Sequence, residues 1–379
     1  MTGTRPGLNS VRGTIRRRCT LTFARCRRRL QTEVAMLVKE GKAAARAWVD
    51  ANAETLPGFV GAFFHGSTHW LPEDAPLATG SDVDVMVVLH EPPPVKLGKF
   101  TYRGVLLEVS YLPAEDVRSA EHVLGLSHLA GSFRAPGIIA DPTGELTRLQ
   151  VAVAQGYAKR KWVRRRCEHA QAKVFGNLEF QRAGEAFHDQ AMAFLFAAGV
   201  TTHVLLVAGL KNPTVRRRYL AVRQLLAEYD RRDFYEPLLA LLGCAGMSAQ
   251  RAKLHLAALT EAFDAANKVV KSPFFFASDL SDAARPIAID GSRELIEAGN
   301  HREAVFWLAA TYSRCLKVFQ ADAPGLFERY EPGYRRLLAD MDITSFADLK
   351  RRGEAVRAAL PAVWAVAEAI MAANPEIED

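Results

Sequence analysis

Asp82 and Asp84, separated by Val83 in the run Ser81-Asp82-Val83-Asp84-Val85-Met86-Val87-Val88-Leu89, are the residues of this chain whose types and spacing point most directly to chemistry. Strand side chains repeat every second residue, so the two carboxylates face the same way. Held that close they repel, and each raises the other's pKa unless a cation lies between them. Hard oxygen ligands of this kind suit a magnesium ion carrying phosphates. Upstream, Phe63-Phe64-His65-Gly66-Ser67 closes an apolar stretch with a glycine and a hydroxyl. The missing side chain at Gly66 lets backbone N–H groups approach a phosphate, and Ser67 can donate to it. Ser81, at the head of the acidic run, offers a further hydroxyl to a nucleotide.

The elements that must position these groups are legible around them. Val83, Val85, Val87, Val88 and Leu89 form a β-branched, almost continuous apolar run of buried-strand type. The carboxylates that start it therefore lie at its mouth. Residues 58–64 read as a preceding strand and 104–112 as a following one, with Glu108 among apolar neighbours, where an unpaired acid costs several kcal/mol. Glu108 is the natural third ligand; Glu115, Asp116 and Asp141 are the alternatives if that strand is misplaced.

The order Gly66-Ser67, Asp82-x-Asp84 and a strand acid at Glu108 resembles the nucleotidyltransferase superfamily that includes DNA polymerase β and antibiotic nucleotidyltransferases such as the kanamycin enzyme. The likeness covers about residues 31–150. Residues 68–81, with Trp70, Pro72 and Pro76, are longer and more broken than the short helix of the family pattern. The resemblance implies an α/β catalytic domain, a small mixed sheet with flanking helices, followed by a helical second domain. It also implies two magnesium ions on Asp82, Asp84 and Glu108, an NTP as co-substrate, and transfer of a nucleoside monophosphate to a hydroxyl with release of pyrophosphate.

The 379 residues, 49% of them hydrophobic, suffice for two cores. Cysteines at 19, 26, 167, 244 and 315 are odd in number and widely spaced, with no CxxC pair, which indicates neither a disulfide framework nor a zinc site and leaves a reducing cytoplasm as the default. Residues 1–30 hold nine arginines and no acid against a net charge of +7 for the whole, so the chain after residue 30 is slightly acidic. The tail reads as a basic, disordered arm; the alternatives are an organelle-transit-like segment or a mis-set start, with Met36 opening the next helix. A slightly acidic body favours a cationic, aminoglycoside-like small acceptor over a long polyanion. The alternatives are a tRNA or other nucleic-acid 3′ end, reached through the arm, and a non-catalytic nucleotide-binding module.

From about residue 145 the period changes to that of helices, expected over 145–182, 184–208, 213–229, 248–270, 292–320 and 344–373, and residues 151–379 read as an all-α bundle. The apolar run 191–210 has Thr201, Thr202 and His203 at its centre, which favours a buried bundle helix over a membrane span. Loops are expected at 243–246, 272–273, 323–325 and 331–333. Within Lys159–Arg166, helix geometry puts Arg160, Lys161, Arg164 and Arg165 on a solvated face. Lys159 and Arg166 fall on the apolar side, where they must snorkel, pair with acids or line a cleft against a triphosphate. In Lys211–Arg218, Asn212 is a good N-cap and Pro213 a good first helical residue, so Lys211 and Arg216 beside that helix start form an anion site or a solvated basic turn. Glu185, His188 and Asp189 share a helix face that reads as surface, and the spacing of His65 and His69 does not support a metal site.

Overall fold

The valine-rich run that follows the acidic pair forms the central strand of a five-stranded sheet. A computed structural model describes residues 36–78, 80–179 and 184–379; the basic arm lies outside them. Helix α1 (Val38–Asn52) leads into β1 (Phe59–His65), β2 (Val83–Leu89), β3 (Gly98–Tyr102) and β4 (Val105–Pro113), and α2 (Ala120–Gly125) precedes β5 (Ile138–Ala140). The order is β3-β4-β2-β1-β5, with β2 and β4 parallel and the other neighbours antiparallel. Alternation sorts the two faces. Val83, Val85, Val87, Leu107 and Val109 pack on Ala45, Trp48 and Val49 of α1. Phe63, Val88 and Leu112 face Val123, Phe133 and Leu149 on the other side. Asp84 and Glu108 have the parity of the second face.

The sheet is thus the small mixed one expected, with two strands beyond the three read from the pattern. β3 and β5 were not legible. β3, Gly-Lys-Phe-Thr-Tyr, mixes lysine and threonine into a five-residue edge, and β5 has three residues, too few for a period.

After β5 the described chain is helical: α3 (Glu145–Gly156), α4 (Arg160–Glu179), α5 (Phe187–Ala208), α6 (Arg218–Glu228), α7 (Tyr235–Leu242), α8 (Ala249–Val269), α9 (Gly291–Glu297), α10 (His301–Asp322), α11 (Pro324–Ala339) and α12 (Phe346–Ala373). Sheet and helices belong to one compact unit, Ala35–Asp379. α5 is its axis, packed by α4, α6, α10 and α12. Both α5 and α12 are long and apolar enough to cross a membrane; 78% of the apolar window of α5 is buried in the bundle, against 39% for α12.

Four helical expectations change. The stretch from 145 breaks between Gly156 and Arg160, where a Cβ on Gly156 would press on Leu124. The 292–320 stretch breaks at Gly299, whose φ of 82° ends α9 as an αL residue. Residues 331–333 lie inside α11 rather than in a loop, since Gly333 packs on Tyr312, whose hydroxyl donates to the Tyr330 carbonyl at 3.0 Å in the turn Pro332 disturbs. Finally, Asn212-Pro213 starts no helix. α6 begins at Arg218, because the Thr214 carbonyl accepts from the His203 ring at 2.9 Å and the Val215 carbonyl from Arg218 Nε at 2.8 Å.

Candidate active site

Strand register brings the acids together. Asp84 on β2 is directly opposite Glu108 on β4, Glu108 is opposite Lys99 on β3, and Asp84 is opposite His65 on β1. One rung across four strands therefore reads Lys99, Glu108, Asp84, His65, with Asp82 two residues upstream at the mouth of β2. Ligand oxygens of Asp82, Asp84 and Glu108 lie within 4.8 Å of one another. Of the other acids weighed for the third position, Asp141 accepts from Leu146 and Thr147 at the start of α3, and Glu115 pairs with Arg118.

Gly66 ends β1 against this rung. Its φ of 64° and ψ of −162° suit glycine alone, and a Cβ there would overlap Asp84 Oδ2. The chain then turns through a 3₁₀ segment, Ser67–Trp70, in which Ser67 is exposed. Thr68 pins this turn to β2 by donating to the Asp82 carbonyl at 2.7 Å. The spacer runs on as irregular backbone docked on the start of α1, with Val38 and Lys39 N–H bonded to Ala75 and Glu73 carbonyls at 2.9 Å. Ser81 closes the spacer, its N–H held by the Ala78 carbonyl at 2.9 Å.

Burial and like charge set the ionisation. Asp84 is pushed well above the usual carboxylate range, by burial first and then by Asp82 and Glu108. Burial also raises Asp82, partly opposed by Lys99. Glu108 goes the other way: burial favours its protonation, but the ammonium groups of Lys99 and Lys96 hold it at about 2. His65, half-buried with Nδ1 at 2.6 Å from Ser132 Oγ, is lowered by desolvation to about 4 and is neutral near pH 7.

The lysines are what the sequence reading missed. Lys99 Nζ bonds Glu108 and stands 3.2 Å from both Asp82 and Asp279, while Lys96 Nζ bonds Glu108 and lies 3.6 Å from Asp279. Asp279 belongs to a 3₁₀ turn, Ala277–Leu280, that reaches the sheet from the helical half. The signal was present: a Lys-x-x-Lys before an acid-bearing strand, visible once β3 is recognised.

Of the basic residues read as nucleotide ligands, Arg166 and Lys211 meet Gly66 in a small pocket lined also by His65, Tyr157 and Asn212. Arg166 is 2% exposed, donates to the carbonyls of Leu124 (3.2 Å) and Tyr157 (2.6 Å), and lies over the Tyr157 ring. Backbone carbonyls, not acids or solvent, take up its charge. Lys211 pairs with Glu228 at 2.9 Å. Arg216 crosses to the sheet half, where its guanidinium reaches the Gly80 carbonyl at 3.4 Å. Lys159 is exposed, not apolar-facing, because α4 starts one residue after it. Arg160 and Arg164 pair with Asp379 and Glu368. His188 is buried against Phe327 rather than on a surface face, and its neighbour Asp189 pairs with Lys317 at 2.7 Å.

Compared with known proteins, the chain matches no family model, and no curated protein matches it significantly.

Proposed function

We propose that this chain transfers a nucleoside monophosphate from an NTP to a hydroxyl of a small, cationic, aminoglycoside-like acceptor, releasing pyrophosphate. The observation that carries the reading is the single rung that aligns Asp84 with Glu108, sets Asp82 beside them and backs them with Gly66. Three carboxylates this close, two of them raised by burial and by the neighbouring carboxylates, fit divalent cations. Asp82, Asp84 and Glu108 would hold magnesium, which supplies neutralisation of phosphate charge and a more acidic acceptor hydroxyl. Gly66 and Ser67 would offer backbone N–H groups and a hydroxyl to the phosphates, and Gly66 also lines the pocket that holds Arg166 and Lys211. His65, neutral and tied to Ser132, keeps a positive charge away from the rung. The slightly acidic body supports a cationic acceptor, and the buried free thiols Cys167, Cys244 and Cys315 support a reducing, cytoplasmic setting.

A second reading, nucleotide binding without turnover, is favoured by one observation: Lys99 and Lys96 already neutralise Glu108. Mass spectrometry of products after incubation with each NTP, magnesium and a metabolite or RNA extract separates the two. Transfer is expected to appear as an acceptor heavier by one nucleoside monophosphate, absent with Asp84→Asn; NTP binding with no such product from any extract supports the second reading.

A further inference from the structure

Lys99 is 9% exposed in its side chain and contacts three carboxylates drawn from three elements: Asp82 at the mouth of β2, Glu108 on β4 and Asp279 from the helical half. These are the surroundings of a bound cation, not of a surface ion pair. Asp279 is held in turn by Arg314 Nη1, which donates to its other oxygen at 3.0 Å. The approach of its turn is built in: Gly98 has a φ of 78°, and a Cβ there would overlap the Ser278 side chain. The helical half thus delivers a fourth carboxylate to the edge of the triad, and Lys96 and Lys99 both span the gap between it and Glu108.

We propose that Lys99 is a resident counter-ion: its ammonium takes the cation position of the acid triad and yields it to a divalent ion, withdrawing onto Asp279. This rests on the metal-site reading above. A divalent ion and an ammonium cannot both lie against the same carboxylates without strong repulsion, so the two compete. Before loading, the ammonium offsets part of the repulsion among the acids. When a triphosphate arrives, its oxygens give Lys96 a new partner and free Asp279 for Lys99, so nucleotide and metal load together and a free divalent ion alone binds weakly.

The test is Mn²⁺ titration of the full-length protein by electron paramagnetic resonance, with thermal melts in EDTA and in Mn²⁺. Lys99→Met should bind Mn²⁺ at least about tenfold tighter than wild type. It should also melt several degrees lower in EDTA and recover in Mn²⁺, whereas wild type shifts little. Arg216→Met removes a cation that feels Asp82 without an ion pair to these acids, and should change the affinity less than about threefold. Lys99→Gln and Lys96→Met repeat the comparison should Lys99→Met fail to fold in EDTA. Equal effects of Lys99→Met and Arg216→Met, or no tightening by any lysine variant, overturn the proposal while leaving the metal site standing. Absence of Mn²⁺ binding by every folded variant removes the metal-site reading, and this inference with it.

Discussion

Lys99 and Arg218 are both buried cations, and the molecule accommodates them in different ways. Lys99 sits among Asp82, Glu108 and Asp279, and those acids raise its pKa over the opposing effect of burial. Arg218 is fully buried in the helical half with no acid beside it. Its Nε donates to Val215, its guanidinium lies 3.9 Å from the Phe306 ring centre and against Gly199, and burial lowers it to about 9. Among the described residues its two terminal nitrogens have no hydrogen-bond partner. A cation held by carboxylates can be exchanged for another cation. One wedged between aromatic rings and a helix backbone is fixed, and its role is to set where α6 begins. The contrast separates exchangeable charge at the site from structural charge in the bundle.

The largest effect should come from the acids themselves. Asp82→Asn and Asp84→Asn are expected to lower turnover by more than about a thousandfold in a pyrophosphate-release assay, while Arg218→Met keeps it within a fewfold of wild type. Gly66→Ala should also lose turnover, since its methyl displaces Asp84 from the rung; wild-type rates in that variant would detach the glycine from the acids.

Stability sharpens the comparison next. Glu108→Gln removes the carboxylate that Lys96 and Lys99 share, leaving them Asp279 and, for Lys99, Asp82, and should cost about 3 kcal/mol in urea unfolding. Arg218→Met replaces a poorly satisfied cation by an apolar chain and should stay within about 1 kcal/mol of wild type. If the two cost the same, buried charge is handled alike in both regions.

The smallest effect concerns pH. Asp84 has a raised folded-state pKa, so from about pH 4 up to that value the native state holds a proton the unfolded chain releases, and stability falls as pH rises through the window. Asp84→Asn removes the penalty and should stabilise the protein by about 1 kcal/mol at pH 8, with the gain shrinking towards pH 4. Glu108, held near 2 against an ordinary 4.5, runs the opposite way: its contribution is complete above about pH 4.5 and is lost as pH falls toward 2. Thermal melts of Asp84→Asn across pH 4 to 8, and of Glu108→Gln from about pH 5 down to about pH 2, test the opposed signs.

Much of the site could be read before the fold was known, because its groups are local. Asp82-Val83-Asp84 needs only the two-residue period of a strand, and Gly66-Ser67 only the end of one. Glu108 followed from an acid in an apolar run. Lys96, Lys99 and Asp279 did not, because their roles depend on an edge strand with a weak pattern and on a turn about 180 residues away in the chain. The helical half was legible where apolar periods were long, as in α5, α8 and α12. It was misread where a tertiary contact overrode a local signal: His203 and Arg218 take the carbonyls that Asn212-Pro213 would otherwise have placed in a helix, and Tyr312 supports a turn that Pro332-Gly333 would otherwise have broken.

Anomalous scattering from crystals grown with Mn²⁺ and a non-hydrolysable NTP analogue tests the central claim most directly. The account predicts a manganese peak bridging Asp82 and Asp84, with the phosphates over Gly66-Ser67 and the Lys99 ammonium turned toward Asp279. Saturating manganese with no peak at these carboxylates, and Lys99 still against Glu108, would contradict it.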